Sequence, residues 1–268
     1  MAERPSGVRA GAESTTLVLL SFNEREALEA LLPRIPFELF DRVFAVDPGS
    51  TDGTLELYEA EGIECLIQRK RGRGNAFLTA LEIAETDRVV FFSTDGNENP
   101  DDLSTMLSHL DQNHDLVIGG RFVRPGSCSD NSDDPLRLRR AGSMGFSLIV
   151  RLLWSCDVWD SCNGFRGGRT ESLKRMRLDA PMHEIEIQMT IRAAKLGMNI
   201  KEFPTRELRR LGGYRKKTAG TWQLGWRTAL YLVREVLLGR RFDATNPPPD
   251  RLTRSGLAGA ESREEPGR

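Results

Sequence analysis

The chain has 268 residues, 39% of them hydrophobic, with 38 basic and 39 acidic side chains. That is enough for one large domain with tails, and the near-neutral balance argues against a surface built for nucleic acid. Four cysteines (Cys65, Cys128, Cys156, Cys162) form no CxxC pair and have only three histidines beside them, which sets aside a zinc site or disulfide framework and makes a reducing cytoplasm the expected compartment.

The opening "MAERPSGVRAGAEST" lacks the apolar stretch of a secretory signal. No window reaches the run of about 18 apolar residues that a spanning helix needs, so any membrane contact is expected to be peripheral. Residues 1–14 and the Pro-, Gly- and charge-rich 245–268 are expected to be disordered, leaving 15–244 as the folded domain. Within it "TTLVLLSF" is a continuous apolar run, as in a parallel strand covered on both faces. "NEREALEALLPRI" follows with helical spacing and Asn23 as its N-cap. The alternation continues with strand "DRVFAVD", helix "TDGTLELYEAEG", strand "IECLIQR", helix "GNAFLTALEIAET", strand "DRVVFFST", helix "PDDLSTMLSHLDQN" and strand "DLVIGGR". Five strands alternating with four helices predict an α/β fold with a doubly wound, mostly parallel sheet. Ligands of such sheets sit beyond the carboxyl ends of the strands, where 21–24, 47–54, 71–74 and 95–98 all fall.

After Arg121 the alternation stops. A polar loop precedes a helix over 136–154; "DSCNGFRGG", an amphipathic helix around "HEIEIQMTIRAAKLG" and a strand in "NIKEFPTREL" follow. Residues 15–121 thus read as a nucleotide half and 122–220 as the surface for a second substrate. A last helix over 221–241 carries Trp222, Trp226, Leu230, Val233 and Leu237 at spacings of three and four, with Arg227, Arg234, Arg240 and Arg241 among them. That row suits either the core or a membrane surface.

The phosphate fingerprints narrow the chemistry. "GRGNAF" has Phe77 where a dinucleotide fold wants Gly or Ala, and the chain contains neither GxxxxGK[ST] nor GxSxG. Cys162 has no histidine placed to activate it. What remains is a carboxylate-rich edge, Asp47 and Asp52 followed by Asp95, Asn97 and Glu98. "TDGNENP" has the composition of a turn, but its hard oxygen ligands also suit Mg²⁺ or Mn²⁺ held together with substrate phosphates. The second half supplies basic charge, six basic residues against one acid over 206–217.

"LSFNE", "VDPGSTDGT", "RGRGNA", "TDGNENP", "VIGGR", "DSCNGFRGG" and "EFPTRELRRLGGYRKK" occur in the order and rough spacing of family-2 glycosyltransferases of the GT-A fold. The chain resembles that family over about residues 15–220, most of all its dolichol-phosphate mannosyltransferase and polyprenyl-phosphate branch. The resemblance implies that Phe22, Asn23, Glu24, Asp47, Asp52, Gly72, Arg73, Gly74, Asp95, Gly96 and Asn97 bind a nucleotide-sugar donor such as GDP-mannose or a UDP-hexose. It assigns the metal, Mg²⁺ or Mn²⁺, to Asp95, Asn97 and Glu98. Asn97 stands where a second aspartate is usual, Pro48 replaces the second acid of "DDGS", and Leu20 replaces a usual proline. Arg121, Arg139, Ser143, Arg166, Arg210 and Lys216 fall on acceptor-phosphate positions. Asp160 is the catalytic base if the acceptor is a hydroxyl; if the acceptor is a phosphate, it orients Arg166 or the sugar. The implied activity is inverting transfer to a polyprenyl phosphate at the cytoplasmic membrane face. The alternatives are a soluble or cell-surface glycan or small-molecule hydroxyl as acceptor, a sugar-phosphate nucleotidyltransferase, or a degenerate nucleotide-binding module.

Overall fold

The computed structural model describes residues 13–123, 138–211 and 219–242. Seven strands, β1 (Thr15–Leu20), β2 (Arg42–Asp47), β3 (Glu64–Ile67), β4 (Arg88–Ser93), β5 (Leu116–Gly120), β6 (Arg166–Arg169) and β7 (Ile200–Pro204), form one sheet. Their order is β3-β2-β1-β4-β6-β5-β7. Eight α-helices are described: α1 (Arg25–Leu31), α2 (Thr54–Ala60), α3 (Arg73–Ile83), α4 (Asp102–Leu110), α5 (Leu138–Trp154), α6 (Thr170–Arg175), α7 (Glu184–Lys195) and α8 (Ala219–Leu238).

The period of two along β1 divides the core. Val18 and Leu20 join Phe77 of α3 and Ile185 and Met189 of α7 on one face. Leu17 and Leu19 join Leu28 of α1 and Leu103 and Met106 of α4 on the other. Because both faces are covered, β1 and β4 are buried at every position, which is why each reads as an unbroken apolar run.

Strand β6 departs from the expected topology. It lies antiparallel between β4 and β5, pairing Phe91 with Arg166 on one side and Ile118 with Arg166 on the other. The sheet therefore weaves the two expected halves together. "RGGR" carries no apolar signal for a strand because Val90, Met106 and Leu110 crowd the place a Cβ of Gly167 would take. Asn23 does not cap α1 either; it sits at φ 52°, and its Oδ1 accepts the Thr51 N–H at 2.9 Å. Of the expected N-terminal tail, Ser14 is docked, its backbone N and Oγ both donating to Asp87 Oδ2 at 2.8 Å. Residues 1–12 and 245–268 lie outside the described residues.

Helix α7 is buried from Glu184 to Ala193, with α5 and α8 against it around Val150, Ile187, Ile191 and Leu232. Buried charge fixes α8 there: Glu235 meets Arg192 at 2.9 Å and Lys195 at 2.8 Å, and Gln188 donates to it at 3.1 Å. Arg227 and Arg234 are engaged as partners of Glu184 and Asp179. The expected apolar row faces outward instead: Trp222 is 76% exposed and Trp226 68%. Helix α5 leaves a second row exposed, Leu148, Ile149, Leu152 and Leu153.

Candidate active site

Register assembles the site. Leu20 pairs with Val46 and with Ser93, so the loops after β1, β2 and β4 leave the sheet in one line. Parallel β7 matches Gly120 with Pro204, which adds the segment after Pro204. Antiparallel β6 contributes its beginning rather than its end, and so Asn163, Gly164 and Phe165 reach the same edge. A cavity of about 210 Å³ opens there, lined by residues from the loops after β4, β5 and β7, the approach to β6, and the first turns of α3 and α7.

The loops after β1 and β2 are stitched together before any ligand arrives. Asp47 is fully buried; its Oδ1 accepts the Gly49 and Ser50 N–H groups at 2.7 and 2.6 Å, and its Oδ2 the Ser50 hydroxyl at 2.6 Å. Both oxygens of this expected donor-binding carboxylate shape the loop. Asp52 does similar work from the surface, accepting from Arg25 N at 3.1 Å and from Thr54. Glu24 is buried and paired with Arg210 at 2.7 Å. Burial pushes its carboxyl up to about 7, with Arg210 pulling the other way.

Asp95 and Asn97 are the donors best placed for a metal. Asp95 Oδ1 accepts the Asn97 N–H at 3.0 Å, and Asn97 Oδ1 is buried without a hydrogen-bond partner among the described residues. An orphaned carbonyl oxygen beside a carboxylate suits a hard divalent cation. No cluster of three or more His, Cys, Asp or Glu able to hold a metal occurs among the described residues. Mg²⁺ usually takes one or two protein carboxylates and completes its shell with phosphate and water. Glu98 turns its Oε2 to the Ser93 N–H at 2.7 Å, and burial raises its pKa to about 8. Glu98 is thus turned toward the β4 backbone, beside Asp95 and Asn97 in the cavity lining.

Across the cavity, Arg121 is held by Asp160 through Nε–Oδ2 at 2.6 Å and Nη2–Oδ1 at 3.0 Å. Asp160 is fully buried and is itself placed by Glu202, whose oxygens accept the Trp159 and Asp160 N–H groups at 2.7 Å each. Both Asp160 oxygens accept from Arg121 and so orient it. Arg166 is fully buried and its guanidinium donates to Asn163 O, Glu186 O, Thr190 Oγ1 and Ser161 O, so it braces the approach to β6 and does not line the cavity. Burial pulls its pKa down to about 10.

Glu202 gives a stability test. Burial raises its pKa to about 7 against the pull of its two backbone donors. The folded state then binds more protons than the unfolded state above the ordinary glutamate value, and this site's contribution falls as pH rises from about 4.5 to about 7. Glu202→Gln should flatten that part of the Tm–pH curve while lowering Tm at pH 5, because its amide nitrogen would face a backbone N–H. An unchanged slope would refute the assignment.

Arg73 enters the cavity from the start of α3, ion-paired with Glu186 and donating to Ser93 Oγ at 3.1 Å. It passes through space that a Cβ on Gly164 would occupy. A Cβ on Gly72 or Gly74 would run into the Ala180–Pro181 backbone. Their role is close packing of α3 against the segment before α7.

Of the expected residues, the fold brings Arg73, Asp95, Asn97, Glu98 and Arg121 to the cavity. Phe22, Asn23, Glu24 and Asp52 form a neighbouring wall, joined to it by Arg210, which lies between Glu24 and Asp95 at 2.7 and 3.7 Å. Gly96 lies under Leu211, whose N–H donates to Asp95 O at 3.1 Å. Arg139 and Ser143 sit early in α5 and do not line the cavity; Lys216 lies outside the described residues. Cys162 lines it, but burial holds its thiol up at about 12, far from a nucleophile. Sequence reading missed Ser93, Asn163, His183, Glu186, Thr205 and Glu207. One signal was available: Glu186 stands between Ile185 and Ile187 and close to Met189, an apolar setting in which a charge needs a partner.

Comparison with known proteins agrees with this architecture. The model of the family described as Glycosyl transferase family 2 matches residues 16–177. Glycosyltransferase AglJ of Haloferax volcanii is 30% identical over 72% of the chain, which spans 62% of that relative's length. Polyprenol monophosphomannose synthase of Mycolicibacterium smegmatis is 29% identical over 75% of the chain and 80% of its own. Among solved structures, glucosyl-3-phosphoglycerate synthase of Mycobacterium tuberculosis superimposes with a TM-score of 0.68 at 21% identity, over 87% of this chain and 86% of that one, confirming the expected GT-A fold. With the family model covering more than half of its length, this chain belongs to glycosyl transferase family 2.

Proposed function

We propose that this chain is an inverting, divalent-metal-dependent transferase that moves a hexose from a nucleoside diphosphate sugar to a polyprenyl phosphate. The observation that carries the choice of acceptor is the Asp160–Arg121 pair. Transfer to a hydroxyl needs a carboxylate base within reach of the proton, and Asp160 is buried with both oxygens on Arg121. A phosphate nucleophile is already ionised and needs no base. Arg121, fixed by Asp160 and lining the cavity, is then the cation that receives it.

On the donor side, Asp95 and Asn97 would hold Mg²⁺ or Mn²⁺ at the diphosphate, where the metal neutralises charge as the nucleoside diphosphate leaves. The similar structure from M. tuberculosis was solved with Mn²⁺ and uridine diphosphate, which supports that placement. The rows on α5 and α8 support a lipid-borne acceptor. Arg227 of α8 reaches Glu184 at 2.8 Å, at the end of α7 that lines the cavity, so the exposed Trp222 and Trp226 belong to the site's end of α8. No helix among the described residues is long and apolar enough to cross a membrane, and an interfacial position follows for α8.

Measuring nucleoside diphosphate release from GDP- and UDP-sugars with Mn²⁺, with and without polyprenyl phosphate in vesicles, tests the reading. Stimulation by the lipid is expected; transfer only to a soluble phosphoglycerate or to a glycan hydroxyl overturns it. Arg121→Lys, which keeps a charge for Asp160 but loses the planar fork, should raise the KM for polyprenyl phosphate about tenfold or more with donor affinity nearly unchanged, one charge-assisted contact being worth roughly 1.5 to 3 kcal/mol. Trp222→Ala with Trp226→Ala should abolish binding to anionic vesicles yet shift stability by no more than about 0.5 kcal/mol per site, since both rings are exposed. A double variant that unfolds would contradict the outward placement of the row.

A further inference from the structure

We infer that Glu186 is the residue that reads the transferred sugar, its free carboxylate oxygen accepting a hydroxyl hydrogen of the donor hexose. The inference rests on the donor reading above and names the part of the cavity that the hexose occupies.

Glu186 is 2% exposed in a helix buried on every side. Its Oε1 is committed to Arg73, while Oε2 is buried with no hydrogen-bond partner among the described residues. The side chain lines the cavity together with Asp95, Asn97, Arg121 and Asn163. A buried carboxylate oxygen without a donor is costly, and folded proteins leave few of them unless a ligand or water completes the set. The missing partner must be a hydrogen-bond donor. A diphosphate oxygen is excluded, because it offers no hydrogen and carries the same charge. A hexose hydroxyl fits: it donates to an oxygen, and a sugar presents several of them on a small rigid ring.

The surroundings divide the cavity accordingly. Asp95 and Asn97 gather positive charge, through a metal, on the wall after β4. Glu186 repels anions from its own corner and leaves that corner to a neutral polyol. Arg73 holds the carboxylate in this direction, and the bare Cα of Gly164 clears the path for Arg73.

The test uses the full chain with Mn²⁺ and compares three probes by calorimetry and turnover: the free nucleoside diphosphate, the intact nucleotide hexose, and nucleotide hexoses lacking one hydroxyl each. In Glu186→Gln, affinity for the nucleotide hexose should fall about tenfold or more, the loss of a hydrogen bond to a charged group, while affinity for the free nucleoside diphosphate stays within about twofold. The wild-type chain should lose a similar factor on one deoxy donor, and Glu186→Gln should lose nothing further on that donor. If Glu186→Gln weakens the free nucleoside diphosphate as much as the nucleotide hexose, the residue acts only through Arg73 and the inference fails. It fails too if wild type treats every deoxy donor alike, a comparison that needs no variant and so holds even if Glu186→Gln does not fold. A wild-type chain that binds no nucleoside diphosphate overturns the donor reading and this inference with it.

Discussion

Replacing Asp95 with alanine is expected to lower kcat/KM by about 10³-fold, the equivalent of the several kcal/mol that a metal at a developing charge supplies. Asp95 is the one carboxylate of the proposed ligand pair, and Asn97 beside it offers only a neutral carbonyl oxygen. Removing Asp95 also strips the acceptor that holds the Asn97 N–H at 3.0 Å. It takes away one of the two acids flanking Arg210 as well. Asp95→Asn separates these effects, because the amide oxygen can still accept the Asn97 N–H while the charge is gone. If charge at the metal is what matters, Asp95→Asn should lose nearly as much as Asp95→Ala, and raising Mn²⁺ should recover part of the loss. Asn97→Asp should keep or raise activity. Full turnover in Asp95→Ala across a Mn²⁺ titration would remove Asp95 from the donor site.

Glu235→Ala is expected to cost about 3 to 5 kcal/mol of folding stability, the range for breaking a buried ion pair from one side. Glu235 is fully buried and serves Arg192, Lys195 and Gln188 together. Alanine would leave the Arg192 and Lys195 side chains, 2% and 4% exposed, without their shared carboxylate. Arg192 would keep Asp179 at 3.0 Å, which holds the effect to the lower part of the range. Against a typical total of about 5 to 15 kcal/mol, such a loss should be plain in urea denaturation. It should also loosen α8 from α7 and weaken vesicle binding even though no exposed residue has changed. Replacing Glu235, Arg192 and Lys195 together by apolar residues of similar size should restore most of the stability, because no buried charge is then left unpaired. A Glu235→Ala chain as stable as wild type would show that α8 does not depend on this cluster.

Local pattern determined much of this protein. The unbroken apolar runs of β1 and β4, the alternation of five strands with four helices and the polar residues just beyond each strand follow from periodicities of two and 3.6. These periodicities operate over a few residues and are legible without neighbours. They placed Asp95, Asn97 and Arg121 on the edge where the cavity opens. The outward row of α8 could be counted from spacing, but whether it met the core or solvent could not, since that depends on which face α7 covers. Tertiary structure alone decided the rest. Antiparallel β6, with two glycines and two arginines, has no local signature. Yet its insertion between β4 and β5 is what turns Asn163 and Gly164 toward the site. The roles of the charges were equally hidden, because a charge is defined by the partner the fold brings to it. Arg121 meets Asp160 from 39 residues away, Arg73 meets Glu186 from 113, and Arg210 meets Glu24 from 186. At such separations composition says that a cation and an anion exist, and only packing says that Arg166 is a brace, that Asp47 is a loop anchor, and that one oxygen of Glu186 remains free.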